Sequence, residues 1–303
     1  MKTETFRSFD GVQIRYGHQP ADGKAQGRVI VVPGRAEFLE KYEEVSKEFA
    51  HRGFEFWIMD LRGQGGSQRV LDDPLKGYID SVDTYVHDLS FFAQNVIPTS
   101  DLQTLLLSHS TGGLICMKAL VDKMLAPDMA IFISPFFALA GSTLTKFAAM
   151  ALTKMYMGLG LGQTYLPGQN SYDPVAAWTD NCAITSDPHR YEAFTEMLRT
   201  QAHLRLGGVT AGWMSACLDA QSKIREFANS RPDRPSLRML ALFGAADRIV
   251  DARFSRCLMQ TLGGAVPEPI LQARHELLQE NDRVRAIVWG YIDRFITTQD
   301  NPK

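Results

Sequence analysis

A serine at 110, an aspartate at 247 and a histidine at 275 could together carry out nucleophilic acyl transfer. A serine hydroxyl is a weak nucleophile until a base takes its proton, and the base needs a carboxylate to hold its tautomer. Ser110 lies in Ser108-His109-Ser110-Thr111-Gly112-Gly113, after the apolar run Thr104-Leu105-Leu106-Leu107 and before an apolar helical stretch. A strand, a sharp turn and a helix about a central serine make a nucleophile elbow. The turn strains the serine backbone, so the residues two before and two after it must be small. Gly112 meets that need, and Ser108 stands where G-x-S-x-G has its first glycine. The string S-x-S-x-G alone also fits a glycine-capped turn, and its place between strand and helix favours the elbow. Ser108 is the rival nucleophile, but it sits on the strand side and has no glycine at the matching offset.

Asp247, in Gly244-Ala245-Ala246-Asp247, follows one apolar run, and His275, in Ala273-Arg274-His275-Glu276, follows another. Both fall at carboxyl ends of strands, the edge where ligands bind an open parallel sheet. The order Ser, Asp, His is that of the α/β-hydrolase fold. Asp251, the competing acid, lies deeper into the next helix. A tetrahedral intermediate needs two backbone N–H donors. Thr111 is expected to give one, and Arg35, in Pro33-Gly34-Arg35-Ala36-Glu37, the other, although Pro33-Gly34 also reads as an ordinary turn. His109 neighbours Ser110 but is expected to point away and pack beside the elbow. His18, His51, His87, His189 and His203 read as surface or packing residues.

The elements that must position these groups follow from hydrophobic spacing. Residues 12–16, 28–32, 54–59, 104–107 and 129–133 read as strands, and 38–51, 82–95 and 111–123 as the helices between them. Such alternation predicts a mostly parallel sheet covered on both faces. Asp10-Gly11 joins 5–9 to 11–17 as a hairpin, so the sheet begins antiparallel. From 135 to 235 the pattern turns helical, with Ser142, Asp187-Pro188 and Thr210 as helix starts. Pro232 and Pro235 punctuate its end. A strand resumes at 238–243, a last one is expected at 269–271, and a closing helix at 282–297. The fold class is therefore α/β, with one core interrupted by a helical insertion.

The 303 residues suffice for a substantial core. A net charge of −2 gives no global basic field for nucleic acid or an anionic membrane. Cys116, Cys182, Cys217 and Cys257 have no metal-ligand spacing and read as buried thiols of a reduced compartment. The start carries no apolar run of a signal peptide, and the stretch 147–162 is broken by Lys154 and too short to span a bilayer. These features point to the cytoplasm.

Beyond the three residues, the sequence resembles the lysophospholipase L2 and monoacylglycerol lipase branch of the α/β-hydrolase superfamily. Pro33-Gly34-Arg35-Ala36-Glu37-Phe38-Leu39-Glu40-Lys41-Tyr42 resembles its oxyanion-loop segment, and Asp60-Leu61-Arg62-Gly63-Gln64-Gly65-Gly66-Ser67 its D-x-R-G-x-G-x-S loop. Ile133-Ser134-Pro135, Tyr172-Asp173-Pro174 and Thr185-Ser186-Asp187 with Arg190-Tyr191 resemble its cap junction and cap. The resemblance implies an α/β-hydrolase core at 1–135 and 236–303, a helical cap at 136–235, and hydrolysis of a monoacylated lipid ester with no metal or organic cofactor. It departs from the branch at Ser108 and at Thr111, where methionine or glutamine is common. The implied partner is a lipid or small-molecule ester, with transient membrane-surface contact through the cap and no nucleic acid. For single apolar residues of the insertion, such as Phe147, Met150 and Met155, packing is favoured over lining a lipid site. A short-chain carboxylesterase, a peptidase or C–C bond hydrolase, and a non-catalytic ligand-binding relative remain as alternative readings. A dehalogenase would need aspartate at position 110.

Overall fold

A hairpin begins the chain: β1 (Lys2–Arg7) pairs antiparallel with β2 (Gln13–Gln19). Gly11, at φ +88°, supplies the left-handed residue the Asp10-Gly11 turn requires. The computed structural model describes residues 1–172, 177–230 and 237–298. β3 (Gly27–Val32) follows, then a 3₁₀ turn (Leu39–Tyr42), α1 (Glu43–His51) and β4 (Phe54–Met59). Next come α2 (Val82–Phe91), β5 (Gln103–His109), α3 (Thr111–Val121) and β6 (Met129–Ile133). Every residue of β3 and β6 is buried, which is why 29–32 and 129–133 read as unbroken apolar runs rather than alternating ones.

Between β6 and the next strand the described chain is helical: α4 (Thr143–Gly158), α5 (Pro188–Thr200) and α6 (Ala211–Asn229). Each starts at the expected cap. Ser142 accepts from the Thr145 N–H, Asp187 from Arg190 with Pro188 in the first turn, and Thr210 from Trp213. The expected punctuation at Pro232 and Pro235, the boundary at 235/236, and Asp173-Pro174 lie outside the described residues. β7 (Arg238–Leu242), α7 (Ala252–Thr261) and α8 (Asp282–Thr297) complete the core.

The sheet order is β1-β2-β4-β3-β5-β6-β7, parallel from β4 through β7. Parallel pairing puts the carboxyl ends of β3, β5, β6 and β7 on one edge, so the loops carrying Arg35, Ser110 and Asp247 emerge together.

Three expectations need correction. Residues 269–271 form no strand. Ile270 exchanges one bond with the Phe243 carbonyl and one with the Ala245 N–H, and the ladder stops there. Pro267 and Pro269 lack the N–H a ladder needs, and Gln272, at φ +64°, turns the chain away. The cysteines are not all buried: Cys116 and Cys217 are, Cys182 is half-buried and Cys257 is exposed on α7. Packing also fails to absorb all the apolar residues in and just after α4. Phe136 and Phe137, ahead of it, are buried, but Phe147, Met155, Met157 and Leu159 are exposed, because α4 rests on α6 and presents its far side to solvent. Among the described residues no helix is long and apolar enough to cross a membrane.

Candidate active site

Ser110 has φ +50° and ψ −115°, a backbone conformation that non-glycine residues rarely adopt. The surroundings hold it there. Its N–H donates to the Ile133 carbonyl at 3.0 Å, and its own carbonyl accepts from Gly113 at 2.9 Å and Phe136 at 3.0 Å. A Cβ on Gly112 would collide with the Val32 carbonyl, and one on Gly113 would lie 2.6 Å from Pro135 Cβ. Both glycines therefore let the first turn of α3 lie directly on the ends of β3 and β6. Ser108 is buried, and its hydroxyl donates to the Ile131 carbonyl at 3.2 Å. The rival serine is thus spent within the sheet.

A similar close approach brings the other two residues together. A Cβ on Gly244 would strike the carbonyls of Ala273 and Arg274, so only glycine lets the two loops run side by side. There His275 Nδ1–H donates to Asp247 Oδ2 at 2.8 Å. Asp247 Oδ1 accepts from Ile249 at 2.8 Å and Val250 at 3.2 Å. Burial would raise the pKa of Asp247, but the His275 hydrogen bond and charge, with the two N–H donors, bring it below the usual carboxylate value. Asp251 is committed elsewhere, capping α7 through Phe254 N–H at 2.9 Å and pairing with Lys146. Among the described residues neither Ser110 Oγ nor His275 Nε2 has a hydrogen-bond partner.

The loop after β3 packs on the elbow, since a Cβ on Gly34 would lie 3.2 Å from Ser110 Cβ. Glu37 takes the Gly34 N–H, and Gln64 Oε1 takes that of Ala36 at 2.7 Å. The Arg35 N–H between them has no acceptor among the described residues, nor does the Thr111 N–H at the start of α3. These two free donors are the ones the sequence pointed to. With the positive end of α3 behind Thr111, they could stabilise an oxyanion.

Sequence reasoning missed what holds this loop. Glu37 is buried and accepts from Lys41 Nζ (2.8 Å), Tyr42 Oη (2.8 Å) and His109 Nδ1 (2.9 Å) as well as Gly34. Lys41 also donates to Glu276 at 2.6 Å. His109 Nε2 faces the His275 carbonyl at 3.3 Å. Both ring nitrogens thus meet acceptors, an arrangement that favours the doubly protonated, cationic ring. Burial alone would lower its pKa, but Glu37 raises it above the usual value. The four ionic groups balance two against two, and they tie the Gly34 loop, the elbow and the His275 loop into one unit. His109 therefore does more than pack. The only local sign was Glu37 and Lys41 four residues apart.

The Asp60–Ser67 loop is a buttress behind the same segment. Asp60 accepts from Leu39 N–H (3.0 Å), Gly66 N–H (2.7 Å) and Arg15 Nε (2.6 Å), while Gln64 holds Ala36. Among the described residues no group of His, Cys, Asp or Glu could hold a metal ion.

Residues 23–282 match the family described as serine aminopeptidase, S33. The chain belongs to that family of α/β hydrolases. It is 30% identical over 294 residues to a probable lysophospholipase L2 of Haemophilus influenzae, covering 95% of this chain and 90% of that one. It is 27% identical over 306 residues to lysophospholipase L2 of Escherichia coli K12, covering 98% and 88%. Among solved structures it is similar to a soluble variant of monoglyceride lipase from Saccharomyces cerevisiae (TM-score 0.71, 17% identity, 98% and 96% covered). It is also similar to a thermostable carboxyl esterase from Bacillus coagulans (TM-score 0.71, 18% identity, 97% of each). These two likenesses bear on the fold alone.

Proposed function

We propose that this hydrolase cleaves the ester of a monoacylated lipid, a lysophospholipid or monoacylglycerol, through an acyl-enzyme on Ser110. The observation that carries the reading is the strained Ser110 elbow at the sheet edge that also bears the His275–Asp247 hydrogen bond. Ser110 Oγ attacks the ester carbonyl as His275 Nε2 takes its proton, and Asp247 stabilises the imidazolium. The Arg35 and Thr111 N–H groups receive the oxyanion. The alcohol departs with the proton from His275. Water, deprotonated by the same nitrogen, then attacks the acyl carbon and releases the fatty acid and the serine. No residue in this sequence of steps calls for a metal or organic cofactor.

The division into a core at 1–135 and 236–303 and a cap at 136–235 belongs to the same proposal. Contacts between the segments support it: Phe194 of α5 lies over Lys41, with Nζ 4.5 Å from the ring centre, and the Ile184 carbonyl accepts from the Glu276 N–H. The lipid substrate is supported by the names of the L2 relatives. Exposed Phe147, Met155 and Leu159 on α4 suit transient contact with a lipid surface.

The test is a Ser110→Ala variant assayed on lysophospholipids, monoacylglycerols, short p-nitrophenyl esters and amides, with fluorophosphonate labelling of the wild type. Ester turnover and labelling should both vanish with the hydroxyl, leaving at most the roughly 10³–10⁴-fold over water that binding and oxyanion donors provide. Persistent turnover would move the nucleophile, and rates peaking at acetate or butyrate would favour the short-chain esterase reading.

A further inference from the structure

Arg35 places a cation beside the candidate oxyanion donor without giving it a counter-charge. Its Nη2 donates to the Gly207 carbonyl, and its guanidinium lies 5.5 Å from the centre of the Trp213 ring. No carboxylate pairs with it among the described residues. Nε is sealed from solvent and unpartnered, and so is the neighbouring Trp213 indole Nε1. Among the described residues Nη1 has no acceptor, and unlike Nε it is not sealed from solvent. Burial without an anion pushes the guanidinium pKa down to about 10. Other arginines of the chain differ: Arg62, for instance, takes both Asp10 and Asp88. A buried cation normally has a partner, because its dehydration is costly.

A glycine makes room for this side chain. A Cβ on Gly77 would stand 2.8 Å from Arg35 Nη2. Arg69 reaches the same cap segment, donating to the carbonyls of His203 (2.6 Å) and Arg205 (3.1 Å), and its other acceptors are carbonyls too. Packed contacts link this side chain to the nucleophile. Trp213 stacks on Phe136 at 6.1 Å, and the Phe136 N–H donates to the Ser110 carbonyl.

We propose that the Arg35 side chain is the headgroup subsite, binding the phosphodiester of a lysophospholipid whose ester carbonyl sits on the Arg35 N–H. The inference rests on the Ser110 reading and adds to it a residue that distinguishes charged from neutral substrates. Reach agrees with it. Six bonds separate the Arg35 amide nitrogen from its guanidinium carbon, and six separate an acyl carbonyl carbon from the phosphorus of a 1-acyl lysophospholipid. At about 1.2 Å of reach per bond, both spans are about 7 Å. One residue can therefore meet both ends, and a phosphodiester offers the acceptor that Nη1 lacks.

The experiment compares kcat/KM for palmitoyl lysophosphatidylethanolamine and palmitoyl monoacylglycerol in the wild type, Arg35→Gln and Arg35→Lys. Glutamine keeps the backbone N–H but removes the charge and is too short for the Gly207 carbonyl that Nη2 reaches. Its lysophospholipid-to-monoacylglycerol ratio should fall about tenfold to a hundredfold, mainly through KM, as expected for one charge-assisted contact. Lysine should restore part of the ratio. An equal fall on both substrates would make Arg35 a strut to the cap and overturn the proposal. Glycerophosphoethanolamine and inorganic phosphate are then tested as competitive inhibitors of p-nitrophenyl butyrate hydrolysis, a readout that serves even if Arg35→Gln fails to fold. Inhibition by the phosphodiester, weakened in Arg35→Lys, supports the subsite. Inhibition by phosphate alone, or by neither, overturns it. An unchanged ratio with Ser110-dependent turnover refutes only this inference, whereas turnover independent of Ser110 refutes the reading beneath it.

Discussion

Replacing Lys41 by methionine removes the one cation that bridges Glu37 and Glu276 while keeping an unbranched chain beneath Phe194. The lysine side chain is 2% exposed, and its contacts are 2.8 Å and 2.6 Å. At an effective dielectric near 20 each contact represents about 6 kcal/mol of gross attraction. Most of that offsets the dehydration of three buried ions, so the gross figure is not the loss. Glu37 would keep Gly34, Tyr42 and His109 as donors, but the Glu276 carboxylate would lose the side-chain cation that pairs with it among the described residues. Removing one member of such a cluster typically costs about 3–5 kcal/mol. At roughly 2 °C per kcal/mol for a chain of this size, Tm should fall by roughly 6–10 °C. The assay is differential scanning calorimetry at neutral pH, with Glu276→Gln and the double variant completing a cycle. The double variant should recover part of the loss, because the stranded carboxylate is gone. A fall below about 2 °C in Lys41→Met, or strictly additive effects in the cycle, would refute the view that these ions act as one unit.

Asp247→Asn should lower kcat by orders of magnitude while Asp251→Asn, which can still cap α7 and loses only the charge opposite Lys146, should change Tm more than kcat; reversed effects in steady-state assays would move the acid to 251. Stability should also depend on pH through the same cluster. The His109 pKa is raised above 6.5, so its contribution is complete below 6.5 and is lost as pH climbs through the raised value. Glu37 and Asp247 are depressed, so theirs is present above the ordinary carboxylate values and is lost as pH falls through the lowered ones. In calorimetry, the advantage of wild type over His109→Gln should therefore shrink above pH 6.5, and a constant or growing advantage would exclude a cationic His109.

Most of the sheet and the order of the three candidate residues were legible in the sequence, because both rest on local rules. Apolar runs such as Val29-Ile30-Val31 and Leu105-Leu106-Leu107 name strands by composition. Gly112 marks a close approach by its type, and Ser142, Asp187 and Thr210 announce helix starts through bonds that span three residues. Local rules erred at Ile270, where flanking prolines outweighed apolar character.

Tertiary structure alone decided which charges meet. Glu37 and Lys41 are neighbours along the chain, but His109 and Glu276 reach them only because the sheet sets the end of β5 beside the end of β3 and brings the His275 loop over both. Arg35 and Arg62 look alike in the sequence, each beside a glycine in a polar loop. Arg62 meets two carboxylates and Arg35 meets none among the described residues, a difference made by residues as distant as Asp10 and Gly207. Charge pairing depends on separation in space, and a chain reveals that separation only once it has folded.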